Sequence, residues 1–267
     1  MKKIITKLLK LFGFYKNREI TLDDSTTSIV ITGVENSPRW GPCKGSALDC
    51  DTFKSIIDKS SDNYNVTILK NEKATVAAWK EAVEKAVQKP LAIIFYSGHG
   101  GTDKNHVLSD GSNEDDGIDE FLCLYDKPLV DDEIWNIISK STGRVFLIFD
   151  CCHSGTMFRT ASVGLEEKYT QDFDTFNNID LNKFATARDV DLIAPSILCW
   201  SACADNTVAR GTSRGGIFTN KIKELFTPGE TYKSLWNKLT NNKSLNNLEV
   251  VQISEVGESF QTNLFGR

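Results

Sequence analysis

Short apolar runs rich in Val, Ile and Phe occur at residues 28–34, 64–69, 91–96, 145–149, 196–200 and 249–253. Between them lie segments whose apolar residues recur every three or four positions, at 51–59, 75–87, 131–138, 217–226 and 232–239. Strand-like runs alternating with helical ones predict an α/β fold, a mostly parallel central sheet with helices on both faces. Runs 91–96 and 145–149 are apolar at every position, the mark of central strands covered on both sides. Open parallel sheets bind ligands beyond the carboxyl ends of their strands, so the residues following these two runs are where chemistry is expected.

Two stretches break the pattern. Residues 102–120 are rich in Gly, Asp, Asn and Glu and read as a long surface loop, and residues 156–194 are polar and weakly periodic. Loops of this length inside a compact domain are functional or mobile more often than not. With 267 residues and 40% hydrophobic content, the chain suits one large domain, 20–267, preceded by a distinct segment, 1–19.

That first segment changes the electrostatic picture. Lys2, Lys3, Lys7, Lys10, Lys16 and Arg18 stand there without an acid, so the formal charge of −5 divides into +6 on residues 1–18 and −11 on the rest. Ile4, Ile5, Leu8, Leu9, Leu11 and Phe12 fall largely on one helical face, predicting a basic amphipathic helix. It reads either as a cap on the domain or as a membrane-surface anchor. Lys7 and Lys10 interrupt the apolar run and no small-residue cleavage site follows, which argues against a signal peptide. In the body, bases and acids are interspersed, so no nucleic-acid partner is expected. Seven cysteines without a secretion signal fit reduced thiols in a cytoplasmic protein, and no two pairs of them have zinc-ribbon spacing.

Two motifs occupy the carboxyl ends of the buried runs. Tyr96-Ser97-Gly98-His99-Gly100-Gly101 follows the first, and its glycines predict a sharp turn or a close backbone approach around His99. Asp150-Cys151-Cys152-His153-Ser154-Gly155 follows the second. A thiol and an imidazole at neighbouring strand ends have the makings of a nucleophile and its base. Adjacent strand residues point to opposite sides, so only one of Cys151 and Cys152 can face His99.

Together these motifs resemble the caspase-like cysteine peptidases, and the metacaspases in particular, whose pattern is Asp-x-Cys-His-Ser-Gly. A His about 50 residues before the Cys is a general caspase signature, and here the interval from His99 to Cys152 is 53 residues. Residues 114–120 and 130–134 also resemble the family's intervening segment, and the similarity runs from about Ser28 to the carboxyl terminus. The resemblance implies a caspase-like fold and a monomeric cysteine endopeptidase acting on protein or peptide substrates. Cys152 becomes the nucleophile, with Cys151 packed inward, and His99 becomes its base. The backbone N–H groups of Gly100 and Cys152 become the oxyanion donors. No third triad member is evident. His153 adjoins the nucleophile too closely to serve as its base and takes a structural or solvent role.

Specificity follows from carboxylates. Asp150 lies two residues before Cys152, on the same side of its strand and at the edge of any S1 pocket. Gly45-Ser46-Ala47-Leu48-Asp49-Cys50 resembles the family's Gly-Cys-x-Asn-Asp-Ala and carries Asp49 over as a second pocket acid, although Ser46 and Leu48 depart from the pattern. Ser97 adds a polar wall. Two carboxylates can hold a guanidinium or ammonium group, so cleavage after Arg or Lys is expected. Asp49 has a second reading, as the N-cap of a helix at 51–59.

The resemblance also raises calcium, through Asp119, Asp131 and Asp132. Arg159 stands where a fourth acid is expected, and a cation there opposes Ca2+. The expectation is therefore that no cofactor is required, with calcium activation as the alternative to a solvated acidic loop and an N-cap role for Asp131. Ser201-Ala202-Cys203-Ala204-Asp205-Asn206 resembles a family segment lining the cleft, with Cys203 as a buried small residue. Arg159, Lys168, Lys183 and Arg188 in the polar stretch offer sites for autoprocessing. The alternative to an enzyme is a catalytically silent caspase-like signalling or binding module, or an adaptor acting through the amino-terminal helix; a thiol hydrolase of another acyl substrate is a third reading.

Overall fold

A computed structural model describes residues 27–60, 64–103, 119–152, 166–167, 197–202, 210–242 and 252–256. The amphipathic segment at 1–19, most of the stretch 156–194, His153, Arg159 and Cys203 lie outside these residues.

The chain runs β1 (Thr27–Gly33), α1 (Ser46–Ile57), β2 (Tyr64–Lys70), α2 (Val76–Ala86), β3 (Leu91–Asp103), β4 (Asp119–Cys123), β5 (Pro128–Val130), α3 (Asp131–Ile138), β6 (Arg144–Cys152) and β7 (Glu166–Glu167). It continues through β8 (Ile197–Ser201), β9 (Arg210–Thr212), β10 (Gly215–Gly216), α4 (Ile217–Leu225), α5 (Tyr232–Thr240) and β11 (Gln252–Val256). The main sheet has eight strands, in the order β11-β8-β6-β3-β1-β2, with β4 and β5 continuing from β3. Strands β2, β1, β3, β6 and β8 are mutually parallel, and β11 is antiparallel at one edge. The fold is thus the expected α/β layer structure.

Alternation along the central strands sorts the core into two halves. Ala92, Ile94 and Tyr96 of β3, with Val145, Leu147, Phe149 and Cys151 of β6, pack on the side of α2 and α3. Leu91, Ile93 and Phe95, with Phe146 and Ile148, pack on the side of α1, α4 and α5. Each helix contributes the apolar stripe that its periodicity predicted, such as Cys50, Phe53, Ile56 and Ile57 in α1. Helices α2 and α5 start at threonine caps: Thr75 Oγ1 accepts from the Ala78 N–H, and Thr231 Oγ1 from that of Ser234.

Three sequence expectations need correction. Strand β3 continues through the glycine motif to Asp103, where β4 pairs with it, so His99 stands inside a strand and not in a turn. Among the described residues the glycines with positive φ are Gly41, Gly45, Gly215 and Gly229, none of them in that motif. Helix α1 begins at Ser46, with Gly45 in the left-handed conformation at its N-cap, so Asp49 lies in the first turn and is not the N-cap of this helix. The N-cap of α3 is likewise Val130 and not Asp131, which is the first helical residue.

Candidate active site

Pairing of β1 with β3 ends at Gly33 and Ser97, and pairing of β8 with β6 ends at Ser201 and Phe149. Strands β3 and β6 run further together, through Ser97–Asp150 and Gly98–Cys151 to His99–Cys152. The two motif residues therefore face each other in register beyond the carboxyl ends of the flanking strands. The order in which strands are added reverses at β1 and β3, since β2 lies on one side and β6 and β8 on the other. Such switch points open a crevice in parallel sheets.

His99 is nearly buried, 7% exposed, and its Nε2 lies 3.2 Å from the Pro42 carbonyl. A carbonyl can only accept, so Nε2 carries the proton and Nδ1 is the basic nitrogen of the neutral ring. The Pro42 loop follows β1 and is tied down at several points. Asn71 Oδ1 accepts from the N–H groups of Glu35 and Asn36 at 2.9 and 3.0 Å. Trp40 Nε1 donates to the Leu124 carbonyl at 2.6 Å, its ring tilted against Phe121. Sequence reading found no orienting partner for His99, because a backbone carbonyl carries no residue-type signal.

Tyr96 explains the glycine before His99. Its hydroxyl donates to the His99 carbonyl at 2.6 Å and lies 3.0 Å from that of Cys123. A Cβ on Gly98 would come within 2.5 Å of that hydroxyl, so Gly98 supplies close approach. Burial pushes the Tyr96 phenol well above its ordinary range, which keeps it a donor.

Asp49, Ser97 and Asp150 come together on the α1/α4 side of the sheet, and all three are fully buried. Ser97 Oγ donates to Asp49 Oδ2 at 2.6 Å, and the Gly216 N–H donates to Asp49 Oδ1 at 2.8 Å. Asp150 Oδ2 accepts from the Thr219 N–H at 3.1 Å and from Thr219 Oγ1 at 2.5 Å. The two acids flank one glycine pair: a Cβ on Gly215 would stand 2.3 Å from Asp49 Oδ1, and one on Gly216 would stand 2.2 Å from Asp150 Oδ2.

A family model of the caspase domain matches residues 28–261. The chain belongs to the caspase-domain family. Its family is one of cysteine-type peptidases, and curated metacaspases are among its relatives. Metacaspase-1 of Candida glabrata is 31% identical over 111 residues, which cover 39% of this chain and 27% of that protein. Metacaspase-1 of Yarrowia lipolytica is 39% identical over 115 residues, 40% of this chain and 23% of the relative. The chain spans about a quarter of the length of these curated relatives. Among solved structures, a Geobacter sulfurreducens protein superposes with a TM-score of 0.65 at 22% identity, over 90% of this chain and 98% of that one. Caspase-1 from Spodoptera frugiperda superposes with a TM-score of 0.55 at 11% identity, over 90% of this chain and 89% of its own. At those identities the likeness is one of fold.

In this caspase domain Cys151 is 1% exposed and belongs to the α2/α3 core, the inward placement expected of it. Cys43, Cys50, Cys123, Cys151 and Cys199 are all buried. Asp131, Asp132 and Glu133 crowd the first turn of α3, where acids suit the helix dipole, and Glu133 pairs with Lys80. Among the described residues no group of three or more His, Cys, Asp or Glu is placed to hold a metal ion. Among them, too, no helix is long and apolar enough to cross a membrane.

Proposed function

We propose that this chain is a cysteine endopeptidase that cleaves proteins after Arg or Lys through a Cys152–His99 dyad. The observation that carries this reading is the in-register pairing of His99 with Cys152, two positions beyond Ser97 with Asp150. In the first half-reaction His99 Nδ1 takes the thiol proton, and the thiolate attacks the scissile carbonyl. The tetrahedral oxyanion is held by the N–H groups of Gly100 and Cys152. Collapse forms the thioester and expels the amine, which receives the proton from His99. Water then gives His99 a proton as its oxygen attacks the thioester; collapse releases the acid and the Cys152 thiolate, and His99 returns its proton to the sulfur, restoring the thiol and the neutral ring. The Pro42 carbonyl keeps the ring in the tautomer this exchange needs.

Asp150 and Asp49 form the receptor for the basic side chain, with Ser97 as a polar neighbour. Two buried carboxylates favour guanidinium or ammonium over a neutral or acidic group. The enzyme acts as a monomer, needs no cofactor for the bond-breaking steps and cuts its own chain after basic residues of the 156–194 segment. Peptide-library cleavage with and without Ca2+ tests the reading. Wild type should release fragments ending in Arg or Lys, and Cys152→Ala and His99→Ala should release none. Peptide turnover without basic preference would remove the specificity, and no turnover of any peptide would leave a silent binding module. Dependence of turnover on Ca2+ would contradict the cofactor-free reading.

A further inference from the structure

We propose that Thr219 is a positioning residue for substrate selection, fixing Asp150 for the basic side chain while the adjoining Gly216 amide fixes Asp49. This inference rests on the reading of those two acids as the basic-residue receptor.

A fully buried carboxylate loses its hydration, a cost of several kcal/mol that only good hydrogen bonds or a nearby positive field offset. The first turn of a helix supplies both, since its leading N–H groups lack intrahelical partners and lie at the positive end of the dipole. In α4 that turn has no side-chain cap of its own. Instead the Gly216 amide serves Asp49, from α1, and the Thr219 amide serves Asp150, from β6. These contacts join residues 167 and 69 positions apart, so they tie α1, β6 and α4 into one unit.

Thr219 goes beyond a backbone donor. Its side chain is fully buried, and its hydroxyl donates to the same Asp150 Oδ2 that its amide reaches. Two donors on one oxygen restrict rotation of the carboxylate about its Cβ–Cγ bond, and an incoming guanidinium needs such a fixed plane for paired bonding. Gly215 and Gly216 complete the arrangement, because any Cβ there would strike one carboxylate or the other. The run Gly215-Gly216-Ile217-Phe218-Thr219 thus reads as a clamp on both acids.

A graded series at position 219 tests this, using kcat and KM on matched peptides with Arg or a neutral residue at the cleaved position. Thr219→Ser keeps the hydroxyl, Thr219→Cys keeps a weaker donor, and Thr219→Val keeps the shape without a donor. The preference for Arg should follow donor strength: Ser near wild type, Cys lower, and Val down about 10- to 100-fold, the span of one hydrogen bond to a charged group. The loss should fall on KM for the Arg peptide, with alkylation of Cys152 by iodoacetamide and turnover of the neutral peptide unchanged. Preference that follows side-chain volume, with Val equal to Thr and Ser reduced, would overturn the inference. Should Thr219→Val not fold, the Ser and Cys variants, close in size and different as donors, still decide: equal preference sinks the proposal. A wild type that hydrolyses peptides without favouring Arg or Lys removes the receptor reading and this inference together. A selective wild type with an equally selective Thr219→Val removes this inference alone.

Discussion

His99 and Cys152 are register partners across the parallel β3–β6 pair, so their backbones are separated by one interstrand spacing of about 4.8 Å. Cys151 is the register partner of Gly98 and packs into the α2/α3 core. Replacing Cys152 or His99 with Ala should each lower peptide turnover by at least about 1,000-fold, because a nucleophile and its base act as a unit. Cys151→Ala should retain most activity and lose about 1 kcal/mol of stability, the cost of a small core cavity. Turnover and urea denaturation measure the two effects, and an inactive but folded Cys151→Ala would reverse the assignment.

The Tyr96 hydroxyl holds the carbonyl of His99, so Tyr96→Phe should disturb the imidazole without emptying the core. Loss of one buried donor is expected to cost about 1–3 kcal/mol in denaturation experiments, with a fall in kcat. Gly98→Ala should be the harsher change, since its Cβ meets the Tyr96 hydroxyl at 2.5 Å. A Gly98→Ala protein as stable as wild type would contradict the packing argument.

Asn71 offers a way to loosen the Pro42 loop from a distance. It sits at a positive φ of 47° while its side chain accepts from Glu35 and Asn36. Asn71→Gly keeps that backbone conformation accessible and removes the acceptor. We expect kcat to fall with KM little changed, because the Pro42 carbonyl orients His99 and not the substrate. Steady-state kinetics that place the whole effect on KM would argue against this role.

Burial pushes the Cys199 thiol up to about 12, against an ordinary value of 9.0. At pH 8 its thiolate is then about one part in ten thousand, so iodoacetamide should leave Cys199 unlabelled in the folded protein, as mass mapping would reveal. The linkage has a definite sign. Below pH 9 the thiol is neutral in both folded and unfolded chains, and this group leaves stability unchanged. As pH rises above 9 the unfolded chain releases its proton first, and stability falls towards pH 12. Tyr96, also raised, adds a loss in the same direction above pH 10. Denaturation midpoints that rise between pH 9 and 11 would refute it.

Autoprocessing is testable on purified protein. Wild type should yield fragments ending in Arg159, Lys168, Lys183 or Arg188, with Lys183 and Arg188 favoured because they precede the β8 run most closely, and Cys152→Ala should stay intact. A wild type that remains one chain while cleaving added peptides would show that activation needs no cut.

The sequence by itself determined the parts with a local signature. Runs such as 91–96 and 145–149 announced central strands because every position is apolar, and the stripe at Phe53, Ile56 and Ile57 announced α1 because periodicity requires only neighbours. The two motifs offered one His and two neighbouring Cys; alternation put the two thiols on opposite sides of their strand, and the family resemblance proposed Cys152 as the nucleophile. Local signals failed where strand ends were set by partners: β3 and β6 outrun the apolar stretches because they pair with each other and with β4. They failed also where a backbone group has a role. Pro42 bears on His99 through a carbonyl every residue possesses, 57 positions away, and Thr219 meets Asp150 across 69. Only the tertiary fold brings such groups together, because hydrogen bonds between distant segments depend on how whole layers pack and leave no periodicity in the chain.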